Sequence, residues 1–276
     1  MVRETPVSGA LRAWLVVEVL FGLLSILAVF LFPEQTDINF AWPVKPAVMA
    51  ATLGAFYLAA STVFVAALFV PTWERVRVVI LPAAVFTAVE LAVTFLHWDR
   101  FKLWTAPFNI WFASYVLPPP IFAALYWWQQ RRALPVGAGI TAPLPEWFRT
   151  LCAANGLALL VVFTLILIAP SLLVGAGPWT FTPLTARALS GWGICLGLLL
   201  LSMAAENDWP RVRLGTLMPI TLGPALLLQW ARFGAEVRWS NPWLIALLAD
   251  ILLVGGACLA LWLNRQQQPA PALADR

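Results

Sequence analysis

Charge is what this chain has least of: 11% of its 276 residues are Asp, Glu, Lys or Arg, against 62% hydrophobic. A soluble domain carries about 25% charged residues, so composition sets a soluble globule aside. Histidine is nearly absent. His97 is the single one, which excludes a bis-histidine haem pair within the chain and a His-Glu-x-x-His zinc site. The three cysteines, Cys152, Cys195 and Cys258, fall inside apolar runs without metal-type spacing, so no disulfide framework is expected. No Gly-rich phosphate loop, Ser-His-Asp constellation or acid-rich repeat for magnesium is present. Gly191-Trp-Gly193 is not a dinucleotide fingerprint, because no strand precedes it. No enzyme class is indicated and no cofactor is evident, although apolar helices leave room for a bound lipid or pigment. The formal charge of +4 is spread over short segments, which speaks against a nucleic-acid surface.

What is present is hydrophobic length. A bilayer core is crossed by about 20 apolar residues in a helix. Eight such stretches occur, at about 11–33, 46–70, 76–97, 106–129, 148–170, 184–204, 212–230 and 242–264. The expected fold is an all-α, polytopic membrane protein with eight transmembrane helices and the lipid bilayer as its first partner. The first stretch is too long for a signal-peptide h-region and has no small-residue cleavage site behind it.

The chain also repeats itself. Arg12, Pro33, Trp42, Pro46 and Gly54 recur 137 positions later as Arg149, Pro170, Trp179, Pro183 and Gly191. Trp73-Glu-Arg-Val-Arg77 returns as Trp209-Pro-Arg-Val-Arg213, and Trp98-Asp-Arg-Phe101 as Trp230-Ala-Arg-Phe233. The expected organisation is a tail (1–10), a four-helix unit (11–130), a Pro/Gly-rich linker (131–147), a second unit (148–265) and a tail (266–276). An even number of crossings per unit makes the copies parallel, as a same-orientation tandem duplication. Small residues four apart, Ala47, Ala51 and Ala55 in one second helix and Gly193 and Gly197 in the other, fit either a seam between the copies or ordinary helix packing. Trp179-x-Phe-x-Pro183, with Arg187 four residues on, is similar to patterns in multi-pass membrane proteins of bacteria. That resemblance carries over no catalytic or binding residue.

Orientation follows from the cations. With the N-terminus inside, 11 of the 17 basic residues lie on the cytoplasmic side and 6 on the other. The positive-inside bias therefore places both termini in the cytoplasm of a prokaryotic inner membrane. Arg75, Arg77, Arg211 and Arg213 inside, with Arg100 and Arg232 outside, are candidate contacts for lipid headgroups.

Intramembrane polar residues are few and expensive. Thr87, Glu90, Thr94 and His97 follow 3-4-3 spacing and so share one helical face. Asp250 sits at a similar depth, and Tyr115 aligns with it in the first copy, as Glu18 does with Asn155 in the second. Glu90, Thr94, His97, Asp250 and Tyr115 form the candidate intramembrane polar site, read either as an asymmetric polar pathway or as single interhelical hydrogen bonds. Pro118, Pro119 and Pro120 in the fourth span, matched by Gly255 and Gly256 in the eighth, are candidate helix breaks, a pattern that points to transporter sites. Two functions are expected. One is a non-catalytic structural or accessory subunit that packs against other membrane subunits or itself. The other is a small transporter or lipid-handling protein working near the interrupted fourth and eighth helices.

Overall fold

The fold is described from a computed structural model covering residues 4–266. Arg3, Arg276 and most of the expected C-terminal tail lie outside those residues. Within lipid every backbone polar group must find an internal partner, and apolar runs of this length answer with helices. They are α1 (Gly9–Leu31, π-helical over its last six residues), α2 (Ala47–Ala67), α3 (Trp73–Leu96), α4 (Ala106–Val116) and α5 (Pro118–Gln130). The second half supplies α6 (Glu146–Ile168), α7 (Pro183–Glu206), α8 (Leu217–Arg232) and α9 (Pro242–Gln266). Their ends carry local signals. Ser8 and Thr105 accept the Leu11 and Phe108 amides, Thr182 and Thr185 form a capping box, and Asn207 ends α7 in the left-handed region at φ 49°.

Among the described residues, seven helices are long and apolar enough to cross a membrane, counting α4 and α5 as one. The expected seventh span of eight, about 212–230, takes another form: a short helix Trp209–Val212, a turn over 213–216, and the 16-residue α8. Pro219 explains the interruption, because it has no N–H for the Gly215 carbonyl and its ring crowds that group. At about 1.5 Å per residue α8 is about 24 Å long, short of a hydrocarbon core of about 30 Å. The three prolines break the chain as expected, at Leu117 between α4 and α5. Gly255 and Gly256 do not. They lie inside the continuous α9, where Gly255 lets the Pro219 carbonyl of α8 approach to 3.1 Å of where a Cβ would stand.

Packing sets aside a seam made of small residues. Gly197 of α7 serves α6, since a Cβ there would stand 2.8 Å from the Gly156 carbonyl, and the reciprocal approach is also 2.8 Å. Gly193 of α7 faces Phe163 of α6, while α2 and α7 scarcely meet. The halves instead join through α2 on α8 and α3 on α7. Trp230 donates to Thr52 at 3.0 Å, Trp179 to the Met49 sulfur at 3.3 Å, and the Val48 amide to Glu236 at 2.7 Å across that junction.

Element starts recur in step. Gly9 and Glu146 are 137 positions apart, Trp73 and Trp209 are 136, and Ala106 and Pro242 are 136. Hydrogen bonds recur with them. The Trp73 amide donates to Thr5 at 2.7 Å and the Trp209 amide to Ala142 at 2.8 Å. Lys102 donates to Ala41 at 2.9 Å and Arg238 to Pro178 at 2.8 Å. In this register Trp98 does not correspond to Trp230. Trp98 opens a 3-10 turn outside α3, whereas Trp230 is buried inside α8. Arg100 and Arg232 are likewise not equivalent.

Candidate binding clefts between first and fourth helices

In each half the first and fourth helices barely touch, leaving a cleft. Between α6 and α9 it is one cavity of about 260 Å³ lined by Asn155, Phe163, Trp179, Trp243, Leu247 and Asp250 among others. Between α1 and α4 it is two smaller cavities, about 60 and 170 Å³, both touching Ser25 and Ser114. The linings correspond: Asn155, Ala158 and Val162 follow Glu18, Phe21 and Ser25 by 137 positions, and Trp243 and Asp250 follow Pro107 and Ser114 by 136. Positions at the same spacing therefore line the clefts of both halves, with different polar residues in each.

The second-half cleft is apolar with a polar floor. Asn155 donates its side-chain amide to Asp250, and its own carbonyl oxygen finds no partner. Asp250 is eight residues into α9, about 12 Å from its start. Ala158, Ala246 and Trp243 are exposed along the mouth, so the cleft opens sideways, toward where lipid lies. A carboxyl and an amide at that depth suit an apolar molecule carrying a hydroxyl or amine.

The first-half cleft is narrow and mostly apolar, with one acid, two tyrosines and several hydroxyls set in its wall. Glu18 is 8% exposed, one of its oxygens lacks a partner, and the Tyr57 and Tyr115 hydroxyls bond each other at 2.5 Å. Its inner cavity, shared with Ser61 and Thr87, has room for a few waters.

The expected polar site is not one site. Glu90 is 1% exposed in the α3–α7 junction against Gly191, where any side chain would collide with its carboxyl, and neither oxygen has a partner. It lines neither cleft. Thr94 donates to the Glu90 carbonyl at 2.7 Å and accepts from Trp111 at 3.0 Å. Tyr115 and Asp250 belong to different cavities. The stripe holds its helical face, but each member is tied to a different neighbour.

His97 stands just beyond α3 and accepts a hydrogen bond from Arg187 at Nε2, 2.9 Å away. Desolvation, then the Arg187 charge, holds its pKa below 6.5. A proton on Nε2 would face a guanidinium instead of accepting from it. Because the folded pKa lies below the unfolded one, the fold binds fewer protons there, and stability falls as pH drops through 6.5. Melting curves between pH 7.5 and 5 should show that loss, and His97→Gln should flatten it. An unchanged slope in the variant would remove His97 from the account.

The arginines divide. Arg77 and Arg211, 2% and 1% exposed, cannot meet a headgroup, which corrects their expected role. Arg77 grips Glu206 at 2.5 and 2.8 Å, and Arg211 lies 3.6 Å from Glu206 and 3.4 Å from Asp208. The linker carbonyls of Leu134, Pro135, Ala138 and Gly139 cover both guanidiniums. Arg232 holds the Phe30 and Leu31 carbonyls at 3.3 Å, and Arg100 pairs with its neighbour Asp99 in solvent. Arg75 and Arg213 line one open groove. Sequence reading missed Glu206 and Asp208, although Glu206-Asn-Asp208 stands directly before the repeated Trp209. Comparison with protein-family models, curated proteins and solved structures finds no match for the chain.

Proposed function

We propose that this is a lipid-handling membrane protein that takes an apolar molecule with one hydrogen-bonding group from the bilayer into the α6–α9 cleft. The carrying observation is the laterally open cavity of about 260 Å³ whose only charged lining residue is Asp250, paired with Asn155. In the same reading residues 209–232 make one broken crossing. That gives eight crossings in two parallel copies of a four-helix unit, with both termini in the cytoplasm of a prokaryotic inner membrane. The recurrent element starts and the repeated Trp and Lys/Arg hydrogen bonds support the duplication. The asymmetry of basic residues supports the orientation.

The test is retention. Protein purified in mild detergent should carry an amphiphile detectable by mass spectrometry of its organic extract. Ala158→Trp, which fills the exposed mouth, should reduce it severalfold while leaving the melting point in place. Equal retention by the filled variant would overturn the cleft as a binding site.

The accessory-subunit reading draws on a different observation. Ile38, in the short helix Thr36–Asn39, and Trp104, in the turn before α4, are 74% and 77% exposed, apolar surface outside the long helices that a partner subunit would cover. A stoichiometric subunit recovered with the protein, lost on Trp104→Ser, would favour it. A lone monomer retaining lipid would favour the cleft.

A further inference from the structure

The N-terminal face carries two arginine pairs related by the internal register, one buried with its acid and one lining an open groove without it. In the first, Arg77 from the first half and Arg211 from the second converge on Glu206, with Asp208 beside Arg211. Moving by 136 positions turns Arg77 into Arg213 and Arg211 into Arg75. The same step turns Glu206 into Val70 and Asp208 into Thr72. The aromatic floor is kept. Trp73 meets Tyr126 edge-on at 5.3 Å beside the buried pair, and Trp209 meets Trp262 edge-on at 5.9 Å in the groove. The two arginines thus recur while both carboxylates are gone.

The groove is open, with a volume of about 530 Å³. Arg213 lies over the Trp262 ring at 4.8 Å and has no carboxylate partner among the described residues. Arg75 spends one terminal nitrogen on Glu4 at 3.0 Å, and its Nε is buried with no acceptor. A planar guanidinium matches an anionic oxygen pair, and Arg213 has no carboxylate among the described residues to fill that role. The walls add a second requirement. Leu214, Leu217 and Phe69, the last 80% exposed, are apolar and flank the end of α2, where the hydrocarbon of a bilayer meets its headgroups.

We propose that this groove binds the phosphate of an anionic lipid, which takes the place that the Glu206 carboxylate holds in the buried cluster. The exposed part of the Arg75 guanidinium and the Arg213 guanidinium hold the phosphate oxygens, and the acyl chains lie along the apolar walls. A free phosphate would meet the same two arginines but leave those walls uncovered.

Native mass spectrometry of the full chain in detergent tests this with dioleoylphosphatidylglycerol, dioleoylphosphatidylcholine and inorganic phosphate as probes. The anionic lipid should be retained over the zwitterionic one. Arg213→Gln should weaken that retention on the order of tenfold, the worth of one charged hydrogen-bonded contact. Val70→Glu restores the missing acid and should abolish retention while raising the melting point. Should that variant fail to fold, the surface-exposed Arg213→Gln decides alone. Arg131→Gln, which removes an exposed arginine stacked on Trp127 on the same face, should change nothing. Equal retention of both lipids, or no effect of Arg213→Gln, would overturn the site. Displacement of the lipid by millimolar inorganic phosphate would assign the groove to a soluble phosphate and overturn the lipid.

Discussion

Glu206→Ala should leave little folded protein. The Glu206 carboxylate is the shared counter-charge of Arg77 and Arg211, whose side chains are 1% and 2% exposed. Removing one member of a buried ion pair strands the other charge and costs about 3–5 kcal/mol. Here two cations are stranded, with Asp208 left to serve one of them at 3.4 Å. Linker carbonyls still accept hydrogen bonds from both guanidiniums but carry no net charge. The fraction running as a monodisperse peak in size-exclusion chromatography, and its melting point, are the measurements. Glu4→Ala provides the contrast. Its partner Arg75 is 40% exposed in the side chain, and a surface pair is worth about 0–1 kcal/mol, so that variant should be close to wild type. Equal behaviour of the two variants would show that the cluster holds nothing together.

Gly54→Ala should be the most damaging single methyl group in the chain. A Cβ at that position stands 2.5 Å from the Phe30 nitrogen, 2.6 Å from its Cα and 2.7 Å from the Val29 carbonyl carbon. All three are backbone atoms of the π-helical end of α1, and no side chain can swing aside. Overpacking of this kind costs about 3 kcal/mol. Gly256→Ala is the control, because nothing lies within 4 Å of its Cβ position. Alanine favours a helix over glycine by about 1 kcal/mol, so that variant should hold or gain stability. A Gly54→Ala protein that melts with wild type would mean that α1 and α2 are further apart than described.

Much of the fold was legible in sequence because lipid leaves a helix few alternatives. Seven of the eight expected runs are helices of crossing length. The eighth was not readable as a break, since a proline's effect depends on its surroundings. Pro82 and Pro224 sit inside α3 and α8 without ending them, while Pro219 follows an irregular turn. Three consecutive prolines left no such latitude at Leu117, whereas Gly255 and Gly256 only thin a continuous helix. The recurring Trp, Arg and Pro positions stand in the sequence, but the register of the element starts beyond Trp73 does not follow from them. Trp-x-Arg-Phe occurs near the end of the third helix in both halves, and similarity pulled the alignment four residues from the geometric one.

The site was harder still. Arg75-Val-Arg77 offers two arginines of equal weight, yet one faces a groove and the other is walled in, a difference fixed by which side of α3 meets Glu206. Asn155 and Asp250 are 95 positions apart, and nothing local to either announces the other. Spacing puts Glu90 on the face of Thr94, but the glycine that receives it, Gly191, comes from the other half.

The junction between halves also bears on independence. The second helix of each half lies on the third helix of the other, so neither half covers these faces by itself. Each cleft thus depends on a chain that supplies both halves together, with Glu18 beside a tyrosine pair in one and Asp250 beside Asn155 in the other.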